Sequence, residues 1–175
     1  MSRFCALYLA GLALASVSVP ASADELFGGA YVHDVKLPTD LSGIEKGSDL
    51  MLGYRGATIA RPFGAALQPY VFGALNTAGD TSYAAVGLSA KFGRKIFIRP
   101  GLGIAIHNGS TSKYFRTDRI AFGSRILFEP ELAVGTQINA RMSIEASWVH
   151  MSHAQLFGQE NPGIDNLGVR LTFGL

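Results

Sequence analysis

Residues 165–175 alternate without a break. Asp165, Leu167, Val169, Leu171, Phe173 and Leu175 hold the odd positions, and Asn166, Gly168, Arg170, Thr172 and Gly174 the even ones. Successive side chains of a strand point to opposite faces, so this segment can only be a strand with one apolar face and one small or polar face. Residues 141–152 repeat the pattern, with Met142, Ile144, Ala146, Trp148, His150 and Ser152 opposing Arg141, Ser143, Glu145, Ser147, Val149 and Met151. In residues 96–107, Ile96, Ile98, Leu102, Ile104 and Ile106 oppose Arg99, Gly101 and Gly103. In residues 122–137, Ile126, Phe128, Leu132 and Val134 oppose Arg125, Glu129, Glu131 and Gln137. Leu50, Leu52 and Tyr54 oppose Asp49, Gly53 and Arg55, and residues 27–34, 67–77 and 82–92 are further strand candidates. The periodicity is two rather than 3.6 throughout, which predicts an all-β chain of about eight strands.

The charges decide which face meets which solvent. Arg55, Arg99, Arg125 and Arg170 share the polar faces with Asp49, Glu129, Glu131 and Glu145. A soluble, lipocalin-like barrel would turn these groups to water and the apolar stripes inward. A transmembrane barrel inverts that arrangement. Charges of balanced sign suit pairing inside a narrow lumen, where an unpaired ion is costly. The expected fold is an eight-stranded antiparallel outer-membrane β-barrel, whose interior at this strand number is filled by side chains and forms no diffusion pore.

The N-terminus agrees with export. Arg3 precedes an apolar run over residues 7–19, and Ala21, Ser22 and Ala23 supply small residues at a cleavage site. Residues 1–23 are therefore expected to be a signal peptide, too short for a spanning helix, and residues 24–175 a single barrel domain. Cys5, the chain's single cysteine, falls in the leader, so the barrel has no disulfide and no thiolate metal site. A formal net charge of +2, or +1 without Arg3, gives no basis for nucleic-acid binding.

Between the last two strands the pattern carries chemistry. His150 and Ser152 are two apart and extend the apolar face of one strand, and Asp165 begins the apolar face of the next. On a strand such a pair has Cα atoms roughly 6.5–7 Å apart, within reach of imidazole and hydroxyl. Three polar groups facing lipid are expensive unless they pair with one another or lie at the membrane edge. In a triad Ser152 would be nucleophile, His150 general base and Asp165 the group that orients the imidazole. Glu160 is a rival acid, and both His150 and Ser152 also suit a plain interfacial strand end. With both termini periplasmic, this hairpin opens on the outer side. Lys113, Arg116 and Arg119 form a basic segment between the fifth and sixth strands. His33 and His107 read as polar residues of the rim.

His150-x-Ser152, the polar loop after it, and Asn161-Pro162-Gly163-Ile164-Asp165 resemble the PagL family of lipid A 3-O-deacylases, as does Gly123-Ser124-Arg125-Ile126-Leu127-Phe128. The resemblance implies an outer-membrane serine esterase without cofactor or metal. Its substrate would be lipid A of lipopolysaccharide, from which it removes the ester-linked 3-hydroxyacyl chain at position 3. Ser152 falls on the family nucleophile, His150 on the base, and Asp165 on an acid that is commonly Glu. His153 and Gln155 stand where the family has an Asn side chain and a Gly backbone N–H as oxyanion donors. The resemblance also allows a homodimer. Two alternatives stay open at this point: a non-catalytic barrel of the OmpA or OmpX type, and an esterase acting on other membrane lipids.

Overall fold

The computed structural model describes residues 24–37, 43–154, 156 and 163–175. The leader assigned to residues 1–23 lies outside them. Eight strands follow one another: β1 (Glu25–Val32), β2 (Ser48–Arg55), β3 (Ala66–Asn76), β4 (Tyr83–Gly93), β5 (Ile96–His107), β6 (Ile126–Gln137), β7 (Met142–Met151) and β8 (Ile164–Gly174). Each pairs antiparallel with its chain neighbour, and β1 pairs with β8 to close the barrel. Closure leaves no unpaired sheet edge, the condition for a strand to cross hydrocarbon. Residues 56–65, 94–95 and 138–141 connect the strands at one end, and residues 33–47, 77–82, 108–125 and 152–163 at the other. The second set is longer in sequence on average, which marks that end as the outer one.

The wall is inverted as the charge pattern predicts. On β8, Leu167, Val169, Leu171 and Phe173 are exposed, while Arg170 between them is fully buried. Arg55, Arg99 and Arg170 fill the lumen with Glu25, Glu129, Glu131 and Glu145. Arg170 donates from Nη1 to Glu131 at 2.8 Å and from Nε to Glu145 at 2.9 Å. Arg55 reaches Glu25 at 2.8 Å, and Arg99 lies 3.4 Å from both Glu25 and Glu145. Arg55 and Arg170 also stand over the Phe27 ring, 4.6 and 5.0 Å from its centroid. Gly101 and Gly103 are required where these side chains cross: a Cβ at either would come within 2.6 Å of Glu131 or Glu129.

Arg125 departs from expectation. β6 begins only at Ile126, and Arg125 is exposed, donating from Nη1 to the carbonyls of His107 (2.7 Å) and Gly109 (3.1 Å). The ladder starts late because Gly123 has φ 70° and Ser124 folds its hydroxyl onto Ile126, donating to the carbonyl at 2.8 Å and accepting from the N–H at 3.2 Å.

The two rim histidines are buried and bonded rather than decorative. His107 has a ring nitrogen 2.8 Å from the Ser124 carbonyl. His33 lies between two carboxylates, with Nδ1 2.9 Å from Asp49 Oδ2 and Nε2 3.2 Å from Glu45 Oε2. Glu45 in turn accepts the N–H groups of Thr81 and Ile120, both at 3.0 Å, so one carboxylate holds three outer loops together. Burial by itself would lower the His33 pKa. Hydrogen bonds and charge from Asp49 and Glu45 outweigh it and raise it to about 9.

Glu145→Gln leaves Arg99 and Arg170 undercompensated in the lumen and is expected to lower stability by ~3–5 kcal/mol in urea unfolding from vesicles. Arg116→Ala in the exposed loop should change it by less than ~0.5 kcal/mol. The His33 clasp is stabilising below the ordinary histidine value and is lost as pH rises through about 9. Tryptic cleavage at exposed Lys46 should therefore accelerate above that pH, and His33→Gln should abolish the pH dependence of cleavage.

Candidate active site

β7 and β8 place His150 directly opposite Asp165. Residues opposite one another in an antiparallel pair share a face, and both share it with the lipid-facing stripes. His150 Nδ1 lies 3.0 Å from Asp165 Oδ1. A carboxylate only accepts, so Nδ1 carries the proton and Nε2 presents a lone pair, the tautomer a general base needs. The His150 side chain is 22% exposed and the Asp165 side chain 2%. The acid thus faces the bilayer side of the wall yet is covered by its neighbours.

One of those neighbours is Trp148. Its Nε1 donates to the same Asp165 Oδ1 at 2.7 Å, and its ring stacks on His150 with centroids 5.8 Å apart and planes at 25°. The alternation of residues 141–152 placed Trp148 only on the apolar face of its strand. Its even parity with His150 was the signal that the two rings meet.

Ser152 sits one residue past β7, where an isolated bridge joins it to Phe128 of β6. The Phe128 N–H donates to the Ser152 carbonyl at 2.8 Å and the Ser152 N–H returns a bond of 3.1 Å. Phe128 is exposed on the lipid-facing wall, so Ser152, its cross-strand partner, projects to that same wall. The bridge is isolated because Pro130 occupies the register position opposite His150 and has no N–H to continue the ladder. The structure therefore gathers Ser152, His150 and Asp165 on one outward patch. Among the described residues the bonded links are His150–Asp165 and Trp148–Asp165. The Ser152 hydroxyl is not hydrogen-bonded to His150, a contact that in many catalytic sites tightens only with substrate.

After Ser152 the chain leaves the wall abruptly. Ala154 adopts φ 50°, and the Leu156 N–H donates to the His153 carbonyl at 2.9 Å. His153 is fully buried. Gln155 and Glu160 lie outside the described residues. On the other strand, the Val35 N–H donates to the Asp165 carbonyl at 2.7 Å, and the Asp34 N–H to Asn166 Oδ1 at 2.9 Å. Asn166 points inward and donates to the Tyr83 hydroxyl at 3.0 Å. The acid is thus anchored through its backbone to the loop that His33 clasps.

The segment 123–128 has a related role: Ser124 receives His107, and four residues on Phe128 receives Ser152. In the basic loop, Arg116 makes a two-point contact with Asp118 at 2.8 and 2.9 Å, and Arg119 approaches the same carboxylate at 3.4 Å.

A family model described as "Lipid A 3-O-deacylase (PagL)" matches residues 39–173. No curated protein sequence matches the chain significantly. Among solved structures, the outer-membrane enzyme PagL is similar at 17% identity and TM-score 0.66, over 86% of this chain and 99% of that one. Neisserial surface protein A is similar at 12% identity and TM-score 0.57, over 90% and 100%. A structure from the de novo design of transmembrane β-barrels is similar at 6% identity and TM-score 0.55, over 88% and 96%. At these identities the structural likenesses establish the architecture.

Asp165→Asn would let an amide N–H face His150 Nδ1 and force the proton onto Nε2. The rate of labelling by a serine-directed phosphonate probe should then fall on the order of 10³–10⁴-fold, with the barrel still folded.

Proposed function

We propose that Ser152, His150 and Asp165 are the catalytic triad of this chain, which belongs to the lipid A 3-O-deacylase (PagL) family. The protein is an outer-membrane β-barrel carboxylic ester hydrolase acting on lipid A. The observation that carries the triad is the His150–Asp165 contact on the lipid-facing side of the wall, with Ser152 on the same side. A substrate whose acyl chains lie in the outer leaflet reaches this patch laterally, without entering the filled lumen.

In the reaction the Ser152 hydroxyl attacks the carbonyl of the ester-linked 3-hydroxyacyl chain, and His150 Nε2 takes its proton. The tetrahedral intermediate collapses as the imidazolium returns that proton to the sugar 3-oxygen, which leaves as an alcohol. Water then attacks the acyl-enzyme with His150 again as base, releasing the 3-hydroxy fatty acid and restoring Ser152. Asp165 stays ionised, holds the Nδ1–H tautomer and offsets the charge on the imidazolium. Donors for the oxyanion are assigned to the segment after Ser152, to His153 or the backbone N–H of Gln155. A homodimer, which the resemblance allows, would leave the whole triad on one hairpin.

Mass spectrometry of lipid A from cells expressing the protein tests this reading. The wild type should remove the 3-linked acyl chain, and Ser152→Ala, at equal barrel abundance, should lose at least about 10³-fold in rate. Deacylation by Ser152→Ala at the wild-type rate would overturn the assignment of the nucleophile.

A further inference from the structure

We infer that Trp148 is a positioning residue of the hydrolytic site, holding the Asp165 carboxylate through its indole N–H. The inference rests on the triad reading and adds a member to it. Trp148 Nε1 and His150 Nδ1 converge on one oxygen, Asp165 Oδ1, at 2.7 and 3.0 Å. Trp148 faces Leu167 across the β7–β8 pair, and Asp165 is the diagonal neighbour two residues away, a distance that long aromatic side chains span.

Three properties of this arrangement exceed what a membrane-interface tryptophan needs. First, the acid is 2% exposed on a wall that faces hydrocarbon, where a carboxylate requires donors from the protein. Indole supplies a donor that is uncharged and never an acceptor, so it stabilises the ionised acid without competing for the imidazole proton. Second, the Asp165 side chain is short and both of its described bonds come from one strand, β7. The second bond on Oδ1, from the Trp148 indole, limits the rotation of that side chain, so that Oδ1 stays on His150. Third, the indole lies over the imidazole at 5.8 Å with planes 25° apart, which limits rotation of the ring that must serve first as base and then as acid. An interfacial anchor would need its ring at the membrane boundary, but not an N–H directed at the buried Asp165 carboxylate.

Trp148→Phe keeps an aromatic ring and removes the donor. The test measures lipid A deacylation by the full-length protein in mixed micelles and the labelling rate of Ser152 by the phosphonate probe. Both are read in the wild-type and Asp165→Ala backgrounds and normalised to folded barrel. In the wild-type background kcat and labelling should each fall about tenfold, the size expected for a lost hydrogen bond to a charged group, with KM within about twofold. In the Asp165→Ala background, assayed at higher enzyme concentration, Trp148→Phe should change neither rate. An equal loss in both backgrounds, an effect confined to KM, or no loss at all would each overturn the role. If Trp148→Phe lowers the folded yield, the probe reading on the folded fraction still decides, because it needs no lipid binding. Failure of the triad reading itself looks different: Asp165→Ala or Ser152→Ala alone would then leave turnover at the wild-type level.

Discussion

Everything at the rim of this barrel stands on the ion network in its lumen. Eight strands close around a space that Arg55, Arg99 and Arg170 occupy together with Glu25, Glu131 and Glu145. Each guanidinium is buried and meets at least one carboxylate at 2.8–3.4 Å. Such a lumen contributes shape more than net attraction, since the attraction between buried ions is largely offset by their desolvation. It fills the tube and turns every apolar stripe outward. A wall set in this way presents polar side chains to lipid only where the strand pattern is deliberately interrupted.

The interruption lies on the outer part of β7 and β8, and it is held from two sides. From within, Asn166 accepts the Asp34 N–H and donates to Tyr83, tying the start of β8 to the first outer loop and to β4. That loop is gathered by His33 and Glu45 against the loops at Thr81 and Ile120. From the side, the bridge between Phe128 and Ser152 continues the β6–β7 register beyond the gap at Pro130. Ser152 is thus attached to β6 and Asp165 belongs to β8, and His150 of β7 lies between them. Rigid elements on both sides suit the proposed triad, whose groups must stay in register without substrate present.

The proposed triad is adapted to the membrane by its donors. In water a carboxylate can be satisfied by solvent, whereas at a lipid-facing wall the protein must provide those bonds. Trp148 and His150 do so with two N–H groups on one oxygen. The partly exposed His150 above a covered Asp165 fits the proposed approach of the substrate ester from the bilayer.

Much of this was legible in the order of residues. The strand read over residues 96–107 has the bounds of β5, and the luminal placement of Arg99, Arg170, Glu131 and Glu145 followed from charge on the polar face. The shared face of His150, Ser152 and Asp165 was likewise a matter of parity, because the strand period is two and admits no intermediate direction. Three things were decided only in three dimensions. Arg125 fell outside β6, because a positive φ at Gly123 and the Ser124 side-chain bonds delay the ladder. His33 turned out to be clamped by Glu45 and Asp49, twelve and sixteen residues away, since loop closure brings together groups that no local period relates. Trp148 met Asp165 diagonally across a hairpin, a contact that depends on β7–β8 register and ring orientation rather than on alternation. Local period specifies which way a side chain points; register and loop packing specify what it touches.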